Sequence, residues 1–160
     1  KFEKPTIPIQ KANCMLRVLL NKDGKSDFEY KNMVSKNQSK KIAISPIVQD
    51  SKNEFLYYKT TYRPYFYDSF QRIKNGEIFD EIFFNEKGEL TEGSRSNIVL
   101  QIGDKLFTPP INCGLLNGIY RQKLLNEGKC FEQILYKKDL LQAEKIYCIN
   151  SVRGMVEVEL

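Results

Sequence analysis

The hydrophobic and polar positions near the N-terminus predict strands joined by short polar turns. Apolar runs at residues 14–20 and 28–30 flank the segment Asn21-Lys-Asp-Gly-Lys25, and an Asp-Gly pair between two such runs is typical of a β-hairpin. Residues 41–48 predict a third strand. The polar residues 50–53 show no hydrophobic periodicity, so we expect a boundary or linker there.

The rest of the chain alternates between helical and strand periodicities. Phe66, Phe70 and Ile73 follow Pro64 at helical spacing and precede Gly76, which predicts an amphipathic helix with a proline in its first turn. Strands are expected at 77–85, 97–102, 106–107, 131–136 and 145–150, a loop at 91–96, and short helices at 118–126 and 138–143. The sequence therefore predicts a mixed α+β fold.

Composition restricts the chemistry more than the fold. The 160 residues fit one domain or two small ones, and 25 Lys and Arg against 20 Asp and Glu give a net charge of +5. That charge suits an anionic ligand but is too diffuse to indicate nucleic acid. The chain has no histidine, which excludes a Ser-His-Asp or Cys-His relay and any His-built metal site. Proton transfer must use Lys, Asp, Glu, Tyr or Cys.

The cysteines and the N-terminus indicate a cytoplasmic protein. Cys14, Cys113, Cys130 and Cys148 form no C-x-x-C pair, so we expect reduced thiols and no zinc site. The N-terminus has no apolar signal segment, and no apolar run is long enough to cross a bilayer.

Three segments compete for the anionic ligand. Residues 117–121 place a glycine at a predicted helix start, where backbone N–H groups favour phosphate. Asn150-Ser-Val-Arg-Gly154 follows a strand directly, although an ordinary turn would look the same. Lys59 lies among aromatic residues that could desolvate its ammonium group and lower its pKa, although most lysines only extend to solvent.

Three closely spaced motifs favour a functional interpretation of these segments. Leu90-Thr-Glu-Gly-Ser-Arg-Ser-Asn-Ile-Val99, Leu106-Phe-Thr-Pro-Pro110 and Gly114-Leu-Leu-Asn-Gly-Ile-Tyr-Arg121 resemble the signature of the class IV aminotransferases. These are fold-type IV pyridoxal-phosphate enzymes, and the resemblance runs from about Cys14 to the C-terminus. Lys59-Thr-Thr61 followed by Arg63 resembles the 4-amino-4-deoxychorismate lyase branch, which includes a form fused to aminodeoxychorismate synthase.

The resemblance implies a fold and an assembly. Residues 1–52 would be a truncated small α/β domain and residues 53–160 the large cofactor-binding domain, with pyridoxal 5'-phosphate in the cleft between them. It also implies a homodimer, a small-molecule substrate, no nucleic acid or membrane partner, and fusion or association with aminodeoxychorismate synthase.

The resemblance also assigns roles to single residues. Lys59 matches the lysine that holds pyridoxal phosphate as a Schiff base and moves the substrate proton, and Glu92 matches the carboxylate that faces the pyridine nitrogen. The positions matching the phosphate site are Gly118, Ile119, Tyr120, Asn150 and Ser151. Arg17 and Arg153 are candidates for a substrate carboxylate, and no metal is implied.

The sequence also departs from the family pattern. Tyr120 replaces a common Thr, Tyr62 replaces the usual Asn of the lyases, and Pro64 replaces the Tyr of branched-chain enzymes. The family's phosphate-binding arginine lies upstream of the Arg17 strand, in a segment absent here, which indicates either a fragment or a shortened relative. The lyase forming 4-aminobenzoate and pyruvate is the first expectation. An amino-acid transaminase for branched-chain or D-amino acids, and a catalytically silent binding module, are the alternatives.

Overall fold

The computed structural model describes residues 14–32 and 39–160, and the chain divides into two compact units between residues 37 and 38. In the first unit, β1 (Cys14–Leu20) and β2 (Ser26–Asn32) pair antiparallel, with Leu16 opposite Tyr30. The Asp-Gly turn joins them, since Gly24 has a φ of +81° that favours glycine. The predicted hairpin is confirmed.

The second unit is built on a mixed sheet that contains eight strands in the described part of the chain. They are β3 (Ile42–Gln49), β4 (Asp80–Asn85), β5 (Leu90–Gly93), β6 (Asn97–Ile102), β7 (Lys105–Thr108), β8 (Phe131–Glu132), β9 (Lys145–Asn150) and β10 (Gly154–Val158). Their order is β10-β9-β6-β5-β4-β3, with β7 beside β6 and β8 beside β7. The pairs β3–β4 and β7–β8 are parallel, and the other pairs are antiparallel.

Three helices pack on this sheet: α1 (Tyr67–Lys74) on β4, α2 (Ile119–Asn126) on β9 and α3 (Lys137–Gln142) on β6. The first follows a 3-10 turn that starts at Pro64, and it ends before Gly76, whose φ is +80°. The three predicted helices are confirmed within two residues at each end, apart from the first turn at Pro64. We find no described helix long and apolar enough to span a membrane.

The core has one large and one small cluster of buried apolar side chains. The large cluster joins the central strands to α3, and the small one joins β6 and β9 to α2. The fully buried members of the large cluster include Ile82, Leu90, Ile98, Leu100, Leu135 and Leu140. This packing fixes the central strands, on whose ends the candidate site lies.

The structure differs from the sequence-based expectations in several strands, among them β10, which was not predicted. Residues 90–93 form β5 where a loop was expected, because their polar side chains are buried in the sheet and not exposed to water. The strand expected at 131–136 is limited to Phe131–Glu132. The strand β3 pairs with β4 within the second compact unit, and the domain boundary expected at 52/53 stays a prediction.

Candidate active site

The candidate site centres on Glu92 in β5 and on its neighbour across the sheet, Asn97. The two residues pair between β5 and β6, and both side chains reach the backbone of Leu116. The Leu116 N–H donates to Glu92 Oε2 at 3.2 Å, and Asn97 Nδ2 donates to the Leu116 carbonyl at 2.8 Å. The sheet therefore holds the segment that precedes α2 against the buried carboxylate.

The Glu92 carboxyl lies in an environment that restricts its ionisation. Its residue is 3% exposed, and burial raises the pKa of Glu92 to about 7. Arg63, the Leu116 N–H and Lys59 act in the opposite direction and lower that pKa, whereas the carboxylate of Asp80 raises it further. Glu92 Oε1 is buried without a hydrogen-bond partner. An unsatisfied buried carboxylate oxygen is costly, and this one is available to a ligand donor.

Arg63 and Tyr65 belong to this site although neither was predicted there. Arg63 Nη2 lies 3.5 Å from Glu92 Oε1, an ion pair without hydrogen-bond geometry. The Tyr65 hydroxyl is buried and unpartnered, and burial raises the pKa of Tyr65 with a further contribution from Glu92. The Lys59-Thr-Thr61 motif with Arg63 was the available sequence signal, but it gave no contact for the arginine.

Lys59 follows a 3-10 turn, Glu54–Leu56, and lies in irregular backbone. Lys59 is exposed, which agrees with the alternative that most lysines extend to solvent. Of its aromatic neighbours, Tyr58 is 67% exposed, and the Tyr57 hydroxyl donates to the Ser51 carbonyl at 2.6 Å. The positive charge of Lys59 is nevertheless close enough to lower the pKa of Glu92.

The start of α2 lies beside Asn97. Gly118 is the N-cap and provides no side-chain cap, and the N–H groups of a first helical turn have no partner within the helix. A Cβ at position 118 would lie 2.3 Å from Asn97 Oδ1, so only glycine fits. Ile119 is 71% exposed and Tyr120 is half-buried. The backbone at this helix start suits a phosphate group.

The turn after β9 lies next to the same helix. Asn150 Oδ1 accepts from the N–H groups of Val152 and Arg153 at 3.0 and 2.9 Å, which shapes the turn, and Ser151 is exposed on it. A Cβ on Gly154 would lie 3.8 Å from the Tyr120 hydroxyl. The structure thus brings together the two segments that the sequence analysis assigned to a phosphate.

A buried carboxylate supports the connection between β5 and β6. Asp80 is fully buried, and it accepts from Ser94 Oγ at 2.5 Å, from Ser96 Oγ, and from the Arg95 N–H at 3.4 Å. The same connection offers the Ser94 carbonyl to Arg63 Nη1 and the Arg95 carbonyl to Asn150 Nδ2. Asp80 therefore fixes a loop that contacts both Arg63, which lies beside Glu92, and Asn150 in the turn after β9.

The two arginines predicted to bind substrate stay predictions. Arg17 lies in the first unit, where it pairs with Glu29 at 3.3 Å with both side chains partly exposed. Arg153 lies in the turn after β9 and is half-buried. No group of Cys, Asp or Glu in residues 14–32 and 39–160 is arranged to hold a metal ion.

The buried cysteines are poor candidate nucleophiles. None of the four cysteines forms a disulfide, and burial raises the pKa of Cys130 to about 11 and that of Cys113 to about 12. Burial raises the pKa of Cys148 as well. A thiol with a raised pKa is a poor nucleophile at neutral pH, so these three buried cysteines are weaker candidates than Lys59, whose role stays a prediction.

The comparison with known families agrees with this arrangement. The family model for amino-transferase class IV matches residues 16–160. The chain belongs to the class IV aminotransferases. This is an enzyme class that uses pyridoxal phosphate.

Individual relatives cover different parts of the chain. An uncharacterized protein of Haemophilus influenzae is 36% identical over 76 residues, 48% of this chain and 39% of its own length. The aminodeoxychorismate lyase of Bacillus subtilis is 29% identical over 91 residues, 54% of this chain and 31% of its own. A solved structure from Mesorhizobium loti, titled "Putative amino-acid aminotransferase", has a TM-score of 0.83 and 27% identity, and covers 92% of this chain and 72% of that one.

The chain spans less than half the length of the curated relatives that it matches. The fold itself is that of the class IV structures, because the Mesorhizobium loti chain aligns with nearly all of this chain. The described residues also fit the cofactor of the class. Glu92 Oε1 is a buried acceptor without a hydrogen-bond partner, and Gly118 begins α2 beside Asn97 without a side-chain cap.

Proposed function

We propose that this chain binds pyridoxal 5'-phosphate and acts as a 4-amino-4-deoxychorismate lyase, forming 4-aminobenzoate and pyruvate for folate biosynthesis. The observation that carries the cofactor site is the unpartnered Glu92 Oε1, within electrostatic reach of Lys59 and joined through Leu116 to the start of α2. The lyase assignment is supported by Lys59-Thr-Thr61 with Arg63, and by the relative in Bacillus subtilis that bears this name.

Each end of the site has a role in this proposal. Glu92 would face the ring nitrogen, and the N–H groups of Ile119 and Tyr120 with the Ser151 hydroxyl would hold the phosphate. When bound, the cofactor supplies an electron sink for the substrate carbon. Lys59 Nζ would anchor the cofactor and then accept the substrate proton, because the chain has no histidine to do so.

Trapping of the cofactor tests the site. The full chain is incubated with pyridoxal phosphate and reduced with borohydride, and the modified peptide is identified by mass spectrometry. We expect a near-ultraviolet to violet absorbance band and a label on Lys59. Lys59→Ala should lose both the label and turnover, whereas Lys52→Ala, an exposed lysine in the same connection, should keep both. A colourless, unlabelled wild-type chain would instead favour a silent binding module.

The choice between lyase and aminotransferase needs a separate assay. The aminotransferase is the second candidate, favoured by the Mesorhizobium loti structure, whose fold matches this chain and which is described as an amino-acid aminotransferase. The purified full-length protein is given 4-amino-4-deoxychorismate, and 4-aminobenzoate is measured by its fluorescence. Amino transfer to an oxo acid without 4-aminobenzoate would select the aminotransferase.

The proposal also includes the location and the assembly of the enzyme. We propose a cytoplasmic homodimer that acts on a small-molecule substrate and is associated with, or fused to, aminodeoxychorismate synthase. The support is the resemblance of the motifs to that branch of the family. Light scattering of the purified full-length protein tests the dimer, and a strict monomer would contradict it.

A further inference from the structure

Arg63 is a buried cation that the fold alone does not account for. Its side chain is 9% exposed and lies 3.5 Å from the 4% exposed side chain of Glu92. Nη1 reaches the Ser94 carbonyl at 3.5 Å, and the guanidinium carbon lies 5.0 Å from the centre of the Phe66 ring. These contacts hold the guanidinium on one side of the carboxylate.

The hydrogen-bonding capacity of Arg63 is poorly used. Its Nε and Nη2 are buried without a hydrogen-bond partner, as is Glu92 Oε1. Burial of a charge whose hydrogen bonds are unmade costs free energy, and such a pair is weak evidence for stabilisation of the fold. A functional role for the charge of Arg63 in the candidate site would explain why this unfavourable burial is present.

We infer that Arg63 is a positioning residue for Glu92: its guanidinium orients the carboxylate and favours its ionised form where the ring nitrogen of the cofactor would bind. The inference rests on the proposed function for the identity of the ligand. The contact between the two side chains does not depend on that proposal.

The charges around Glu92 support this role. Burial disfavours the anion, and Arg63 is the largest of the influences that favour it, ahead of the Leu116 N–H and Lys59. Asp80 faces the same carboxyl and disfavours the anion, and the unpartnered Tyr65 hydroxyl lies within its electrostatic influence. Loss of Arg63 would leave Lys59 as the main cation that favours the Glu92 anion.

The test is a titration of Glu92 in the full chain before cofactor is added. The pH dependence of the Glu92 carboxyl carbon is measured by NMR in protein labelled at glutamate, with Glu92→Gln to assign the signal. Arg63→Met should raise the midpoint by about one to three pH units, the usual effect of an opposite charge at this range. Arg63→Lys keeps the positive charge and should return the midpoint part of the way to the wild-type value. This variant distinguishes loss of the charge from misfolding.

A matched control is Arg72→Met. Arg72 pairs with another buried carboxylate, since its Nη1 lies 3.1 Å from Glu81 Oε1, and this change should leave the Glu92 midpoint in place. At pH 7.5, Arg63→Met should bind pyridoxal phosphate several-fold more weakly than wild type, and Arg72→Met should not. Equal Glu92 midpoints in wild type and Arg63→Met, or a shifted midpoint with unchanged cofactor affinity, would overturn the inference. A wild-type chain that takes up no cofactor would contradict the proposed function, and the Glu92 midpoints would still decide the role of Arg63.

Discussion

The carboxylate end and the phosphate end of the candidate site are built in different ways. At the carboxylate end, the side chains of Glu92, Arg63 and Asp80 are buried and contact one another or a shared loop. At the phosphate end, Ile119 and Ser151 have exposed side chains, and the backbone supplies the donors.

The comparison shows where residue identity matters. Buried charges cannot be exchanged without leaving a partner unsatisfied, so the carboxylate end should be sensitive to conservative changes. Backbone donors remain when a side chain is changed, so the phosphate end should tolerate most substitutions. The exception is a position where a side chain would fill the space, as at Gly118.

Glu92→Gln should have the largest effect. It keeps the size of the side chain but removes the anion, and loss of one partner of a buried pair costs about 3–5 kcal/mol in comparable cases. We expect a rate loss of about a hundredfold or more, with cofactor retained through the phosphate end. Steady-state kinetics and the bound-cofactor absorbance measure the two quantities. An unchanged rate would mean that Glu92 has only a structural role in β5.

The pH dependence of stability should be the next largest effect. The folded pKa of Glu92, about 7, lies above the unfolded value near 4.5, so the folded chain binds the proton more tightly. The resulting stabilisation is present below pH 4.5 and is lost as the pH rises through 7. In the cofactor-free protein we expect this rise in pH to lower the free energy of unfolding of wild type by up to about 3 kcal/mol relative to that of Glu92→Gln. Urea unfolding at a series of pH values measures both proteins. Parallel curves for the two proteins would contradict the assignment.

Gly118→Ala tests whether the phosphate end requires a residue without a side chain at position 118. The added Cβ meets Asn97 Oδ1 at 2.3 Å, so the helix start or the asparagine must move. We expect a stability loss of about 1–3 kcal/mol and at least tenfold weaker cofactor binding. Thermal unfolding and fluorescence titration are the measurements. Lys123→Ala, an exposed change on the same helix, should alter neither.

Tyr120→Phe should have the smallest effect. The proposed phosphate contact at this position is the N–H group, which the substitution keeps, while the hydroxyl beside Gly154 is lost. We expect cofactor affinity within about threefold of wild type. That change in binding free energy is smaller than the usual contribution of one hydrogen bond. A tenfold loss in the same fluorescence titration would show that the hydroxyl contributes and that the two ends are more alike than we argue.

Local patterns predicted most elements but not the contacts of the site. The hairpin, β3 and the helices follow from periodicity and from glycine and proline positions, which act over a few residues. The strand β5 was missed because Thr91 and Glu92 are polar, and only the sheet around them explains their burial.

The same limit applies to the site residues. Glu92 and Gly118 were found through a motif, and the structure places both beside Asn97, which was not predicted. The role of Arg63 depends on a contact with a residue 29 positions away in the chain, and no local pattern reports such a contact. Conversely, Lys59 is exposed although aromatic residues surround it in sequence, because neighbours in sequence need not bury a side chain in space.

The parallel pairing of β3 with β4 has a consequence for changes in chain length. The connection between these strands carries Lys59, and it is fixed before the lysine by the Tyr57 contact to Ser51 and after it by Arg63 at Ser94. Surface connections usually accept inserted residues at little cost to stability. An insertion between these two fixed points would leave the pairing of β3 with β4 intact but would change the position of Lys59. Apart from Lys59, the residues between these points should therefore accept changes of type more readily than changes of length.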